Sequence, residues 1–155
     1  MDIELYQHAI EGGTTATCLI IRKNVLYVGC VGDSGAVAMI FEDDMRYGYT
    51  ELTRDDRPDH KIETERILRA GLQISKRTSH TPAYVRSYDG TQFLNMSRAL
   101  GDFRFKRDVY DPENQGITCV PLVAQPWRLV SAKASAHLVV SKFSFFLSSR
   151  REVYH

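Results

Sequence analysis

A carboxylate set between a glycine and a small hydroxyl residue is the clearest piece of chemistry in this chain, and Asp33 in Gly32-Asp33-Ser34-Gly35 is that residue. In a hairpin such a side chain projects beyond the sheet edge, where its oxygens can bind a hard cation such as Mg2+ or Mn2+. An Asp in a turn can equally fold back on its own main chain. Spacing alone leaves both readings open for Asp33. Ser34 has the hydroxyl of a nucleophile, but that role needs a His base and a buried acid. Of the five histidines only His8 precedes Ser34. Arg98, after Ser97, carries a planar fork suited to a phosphate, although an Arg in this setting is more often an ordinary salt-bridged side chain. His60, His80, His137 and His155 show no H-E-x-x-H spacing, so they read as surface or core residues. Cys18, Cys30 and Cys119 are odd in number and lack a C-x-x-C pair. They read as buried free thiols rather than as a disulfide framework or a zinc site.

The elements that must carry these residues begin with β-structure. Thr15 to Ile21, Val25 to Val31 and Ala36 to Phe41 are apolar or β-branched runs suited to strands. Arg22-Lys23-Asn24 and Gly32 to Gly35 are the turns between them, and connections this short predict an antiparallel meander. From about Pro58 to Ala70 the pattern changes to interspersed Glu, Arg, Ile and Leu, which predicts a helix. Asp55 or Asp56 would cap its start, Pro58 would sit in its first turn, and Gly71 would close it in a left-handed conformation. Residues 72–93 are polar, with a turn at Tyr88-Asp89-Gly90. The 155 residues suit one domain burying roughly 70% of its unfolded surface. With 20 Lys and Arg against 19 Asp and Glu the net charge is +1, which supports neither nucleic acid nor an anionic membrane as partner. Met1-Asp2-Ile3-Glu4 does not open like an export signal, and Lys142 interrupts the apolar stretch 137–147, which is too short for a membrane helix. The expected location is intracellular, cytoplasmic or nuclear.

Five segments in order resemble one enzyme family. They are Leu94 to Phe103 (LNMSRALGDF), Gly12-Gly13-Thr14-Thr15-Ala16, Val28 to Val37 (VGCVGDSGAV), Thr53 to Pro58 (TRDDRP), and Glu65-Arg66-Ile67 with Ala70-Gly71. Together they resemble the metal-dependent protein serine/threonine phosphatases of the PPM or protein phosphatase 2C type. The resemblance implies an α+β fold, part of a four-layer α-β-β-α sandwich truncated at both ends, with residues 1–141 forming a partial phosphatase domain and 142–155 a divergent tail. It also gives Asp33 a place at the metal centre, with Mg2+ or Mn2+ as cofactor and phosphoserine or phosphothreonine proteins as substrates. Thr14, Thr15, Gly32, Ser34, Ser97, Arg98 and Asp102 would lie near that centre. In this family Ser97, Arg98 and Asp102 would shape the chain rather than ligate.

Two departures matter. Gly35 stands where the family usually has Arg. The family's Asp-Gly-His-Gly-Gly, Ser-Asp-Gly and Asp-Asn motifs and its early Glu ligand are not found in these residues, and Lys142-Phe143-Ser144 follows the strand-like 137–141 where Ser-Asp-Gly is expected. Hydrolysis by a water bridging two cations is therefore expected to be impaired. The alternative is a non-catalytic, phosphatase-like binding module. A second resemblance, of Gly32 to Gly35 to the nucleophile motif of chymotrypsin-like proteases, fails because only His8 precedes Ser34, with no room for that family's first barrel, and because Ala36-Val37 stands where Gly-Pro should follow.

Overall fold

The computed structural model describes residues 1–23, 25–41, 47–76, 78, 81–128, 137–141 and 145–146. In chain order these form α1 (Asp2–Gln7), β1 (Gly13–Thr14), β2 (Ala16–Arg22), β3 (Val25–Val31), β4 (Gly35–Phe41) and β5 (Tyr47–Glu51). Then come α2 (Lys61–Arg69), β6 (Gln73–Ser75), β7 (Tyr84–Arg86), β8 (Phe93–Leu94) and β9 (Leu100–Gly101). Two 3-10 turns, Phe103–Phe105 and Pro112–Asn114, precede β10 (Leu122–Val123), β11 (Trp127–Arg128), β12 (His137–Ser141) and β13 (Phe145–Phe146). The fold is α+β, as the sequence predicts.

The three early strands fall within a residue or so of their expected positions, but their pairing differs from a meander. β2 and β3 form a hairpin from Ala16 opposite Val31 to Arg22 opposite Val25. The other edge of β3 takes β10 and β11. β4 does not pair with β3; its neighbours are β5 and β12. Gly32 to Gly35 is therefore a passage from one sheet to another and not a hairpin turn. Its four residues are short enough for either, and burial decides between them. Leu26 and Val28 of β3 must cover Ala36 of β4 and Leu52, and these four form a buried cluster. Two sheets facing across an apolar layer achieve that, as in other sandwiches. Among the described residues β2 pairs only with β3, and Ile20 and Ile21 near its end are 58% and 66% exposed.

The second core gathers Ile67 of α2 with Leu72, Val85, Leu94, Met96, Ala99, Phe105 and Ile117. Helix α2 starts at Lys61, with His60 in the capping position making no side-chain cap bond. The expected caps are corrected here: Asp55 is exposed, and the buried carboxylate of Asp56 faces arginines instead. Pro58 precedes the helix, its carbonyl accepting from the Thr64 hydroxyl at 2.6 Å. Gly71 closes α2 at φ +82°, as a left-handed C-terminal glycine should.

The short helix α1 was not foreseen. It is docked by its first residue: Asp2 accepts the Gly101 N–H at 2.7 Å and the Lys106 ammonium at 2.6 Å. Tyr6 meets the Phe103 ring edge-on at 5.3 Å. Cys18 is exposed, against the expectation of a buried thiol, because it lies on the outer face of β2. Cys30 is buried and Cys119 half-buried, and all three are free. No helix among the described residues is long and apolar enough to cross a membrane.

Candidate functional site

Asp33 sits in the passage between sheets, and the main chain on either side of it is fixed. Gly32 takes φ +99°, and its Cα lies against Thr15 and the Arg98 carbonyl, so a Cβ here would overlap Thr15 Cγ2 and stand 3.0 Å from Arg98 O. Ser34 is buried, its Oγ 2.6 Å from Thr15 Oγ1. Its carbonyl accepts from Thr17 Oγ1 at 3.2 Å and Cys30 Sγ at 2.9 Å. On the other side the segment 52–56 closes the turn. Leu52 N–H reaches Ala36 O at 2.8 Å, the Thr53 hydroxyl accepts Ala36 N–H at 2.9 Å, and Asp56 N–H reaches Gly32 O at 3.1 Å.

Within this clamp Oδ1 of Asp33 is buried without a hydrogen-bond partner. The reading in which Asp33 caps its own main chain would have spent that oxygen on a turn N–H. A buried acceptor left empty costs about 1–3 kcal/mol, which a hard cation ligated there would recover. Gly35 leaves the clamp close, since a Cβ at that position would lie 3.1 Å from Thr53 Oγ1. The family's Arg could be built there only if Thr53 shifts.

Behind the turn lies a buried ion network that the sequence shows only as separate motifs. Glu63 and Asp56 are fully buried. Glu63 accepts from Arg98 Nη2 at 2.6 Å, from Arg66 Nη2 at 2.5 Å and from the Ser97 hydroxyl at 2.9 Å. Arg54 reaches both acids, at 3.2 Å from Asp56 and 3.4 Å from Glu63. Burial alone would raise the Glu63 pKa, but hydrogen bonds and charge from Arg98 and Arg66 outweigh it and bring it down to about 2. For Asp56 burial wins over Arg98 and Arg54, and its carboxyl is pushed up. Arg98 also donates to Val120 O at 2.7 Å. Its guanidinium is thus occupied by Glu63 and a carbonyl, which leaves it poorly placed to grip a phosphate. Ser97 and Arg98 hold the chain together in this structure.

Asp102 belongs to another corner. The pairing of β1 with β9 sets Gly13 opposite Gly101, and Asp102 N–H bonds Gly12 O at 2.8 Å. A Cβ on Gly13 would run into the Asp102 carboxylate, and one on Gly101 into Gly12 O. Thr14, also in β1, donates its hydroxyl to Thr15 O at 2.9 Å. Asp102 has φ +52°, a conformation Asn tolerates as well as Asp. Burial pushes its carboxyl up to about 6, with Lys106 opposing and Asp2 adding to the shift. The folded state therefore holds the proton more tightly than the unfolded chain, and stability is lost as pH rises from about 4 to about 6. Melting temperatures across that window should fall less in Asp102→Asn than in the unmodified chain; parallel curves would show that Asp102 ionises normally. A cavity of about 1070 Å3 opens beside this corner, lined in part by Ile10, Phe93, Asp102 and Phe103, but Asp33 is not part of it.

The structure thus joins Thr15, Gly32, Asp33 and Ser34 in one turn, sets Ser97 and Arg98 behind it, and places Thr14 and Asp102 at the β1–β9 corner. The resemblance implies a metal pair. Asp33 fits as one oxygen ligand, yet no group of three His, Cys, Asp or Glu side chains among the described residues could hold an ion. The described residues do not complete such a site. β12 ends with Ser141 opposite Gly35, bringing the strand before Lys142 alongside the Asp33 turn. The structure of 142–144 lies outside the described residues.

Comparison with known proteins defines the class. The protein phosphatase 2C family model matches residues 1–132, and the chain belongs to that family. "Probable protein phosphatase 2C 21" of Oryza sativa subsp. japonica is 37% identical over 111 residues, covering 70% of this chain and 28% of that protein. "Probable protein phosphatase 2C 60" of Arabidopsis thaliana is 34% identical over 112 residues, covering 72% and 27%. The chain thus spans little more than a quarter of the length of these relatives. A solved serine-threonine phosphatase 2C from Toxoplasma gondii shares the fold with a TM-score of 0.67 at 24% identity, over 86% of this chain and 44% of that one.

Proposed function

We propose that this chain provides part of a protein serine/threonine phosphatase site, engaging Mg2+ or Mn2+ through Asp33 in the hydrolysis of phosphoserine and phosphothreonine in proteins. The observation that carries the reading is the buried, unpartnered Oδ1 of Asp33 in a turn clamped on both sides, in a chain of this family. Metal-assisted phosphoryl transfer needs several carboxylates to lower the pKa of a bridging water and neutralise the phosphoryl oxygens. The sequence carries none of the family's other ligand motifs. The 155-residue chain alone is therefore expected to bind Mn2+ weakly and to release no phosphate above background.

The test pairs two measurements on the purified chain, Mn2+ titration by calorimetry and phosphate release from a phosphothreonine peptide with Mn2+ or with chelator. Asp33→Asn should lower Mn2+ affinity by tenfold or more with little change in fold. Equal binding by both proteins would remove Asp33 from the metal reading. Cation-dependent release that falls in the variant would show that other carboxylates complete the site.

A further inference from the structure

Asp56 is fully buried and touches the Asp33 turn only through its main chain. Its N–H holds Gly32 O at 3.1 Å, and its own carbonyl accepts Ser97 N–H at 2.7 Å. The residue is therefore a link in a main-chain line from Ser97 through Asp56 to Gly32, one residue before Asp33. What fixes the link is its side chain. Oδ1 accepts from Arg54 at 3.2 Å, while Oδ2 has no hydrogen-bond partner and faces Arg98 Nε at the longer ion-pair distance of 3.6 Å. Both arginines are in turn held by Glu63. The carbonyl of Arg98 also lies beside Gly32, 3.0 Å from where a Cβ would stand. The ion network and the metal-binding turn thus share two points of contact, the Asp56 N–H and the Arg98 carbonyl.

We propose that Asp56 is a positioning residue for Asp33, its carboxylate, hydrogen-bonded by Arg54 and paired by charge with Arg98, setting the main-chain bond to Gly32 that holds Asp33 with Oδ1 open. The inference rests on the reading of Asp33 as a cation ligand. It differs from a role in bulk stability, because the network could stabilise the fold without governing the turn. Asn at position 56 keeps the shape and the main-chain N–H. Its amide, however, presents at most one acceptor to Arg54 and turns a donor toward Arg98, so the grip loosens.

The experiment compares Asp56→Asn with Ile67→Val, a core truncation in α2 away from the turn. Both variants are examined well below their melting temperatures, first by amide hydrogen exchange without metal and then by Mn2+ titration. Asp56→Asn should speed exchange at the amides of position 56 and Ala36, bonded to Gly32 O and Thr53 Oγ1, at least tenfold relative to Ile67→Val and weaken Mn2+ binding about tenfold. Ile67→Val should leave the affinity unchanged at a comparable loss of melting temperature. Exchange at the turn that is equal in the two variants overturns the proposal, whether or not Mn2+ binds. If the unmodified chain binds Mn2+ no better than Asp33→Asn, the metal reading falls, and the exchange result still decides whether Asp56 sets the turn. Should Asp56→Asn fail to fold, Arg54→Gln, which removes the bond to Oδ1 from a partly exposed partner, takes its place with the same expected outcomes.

Discussion

Glu63→Ala is expected to cost about 3–5 kcal/mol, the range for removing one partner of a buried ion pair, a large share of the stability of the fold. A domain of this size has about 5–15 kcal/mol of stability in total. The network holds three guanidinium groups, of Arg54, Arg66 and Arg98, against the carboxylates of Asp56 and Glu63. Deleting Glu63 leaves Arg98 and Arg66 facing one another without the acid both donate to, and strands the Ser97 hydroxyl. Urea unfolding followed by circular dichroism measures the loss; a value under about 1 kcal/mol would mean that water replaces the carboxylate. Acid gives an independent check. The Glu63 pKa falls from 4.5 to about 2 on folding, so the unfolded chain takes up the proton first. Its stabilisation is therefore complete above pH 4.5 and is lost as pH falls towards 2. Glu63→Gln should lack that acid-dependent loss.

Gly32→Ala should be nearly as damaging, for a steric reason. A φ of +99° strains any L side chain, at about 1–3 kcal/mol, and the new methyl overlaps Thr15 and crowds the Arg98 carbonyl, adding about 1–3 kcal/mol. Together these give about 2–6 kcal/mol, with a loss of Mn2+ affinity because Asp33 is the next residue. Gly29→Ala is the matched control. A Cβ there meets nothing within 4 Å, and the residue lies in strand β3, so stability should stay within about 0.5 kcal/mol of the parent. Urea midpoints for the pair settle the matter, and equal midpoints would show that the passage relaxes around a side chain.

The sequence made the three early strands legible because their apolar runs are bounded by strong turn residues, and Gly71 marked the end of α2 for the same reason, whereas the short strands β6 to β8 lie in a polar stretch without such a pattern. The pairing of β3 and β4 was misread because a four-residue connection fits a hairpin and a change of sheet alike. What settled it was the need of Leu26 and Val28 to meet Ala36 and Leu52, a long-range demand with no local trace. Asp33 could be picked out from its neighbours, whereas Glu63 could not. A Glu near the start of a helix ordinarily reads as solvated or favourable to the helix dipole. One signal was available: Glu63 and Ile67 are four residues apart and share a face, so the acid lies on the apolar side. Helix α1 is only six residues long, too short for periodicity to register, and its anchor depends on Lys106, far along the chain. The left-handed conformation of Asp102 could not be inferred without knowing how closely β1 approaches β9.

The outer edge of β2, paired on one side only among the described residues, bears on how the fold would be populated. A seven-residue strand with apolar side chains beside N–H and C=O groups that no described residue pairs is a template for a further strand. Any polypeptide that docks there binds the folded chain and not the unfolded one, so folding becomes coupled to association by mass action. Each tenfold rise in such a ligand above its dissociation constant adds about 1.4 kcal/mol to the folded side. The chain's stability is then a function of composition and dilution, a property of the mixture it sits in rather than of the polypeptide alone.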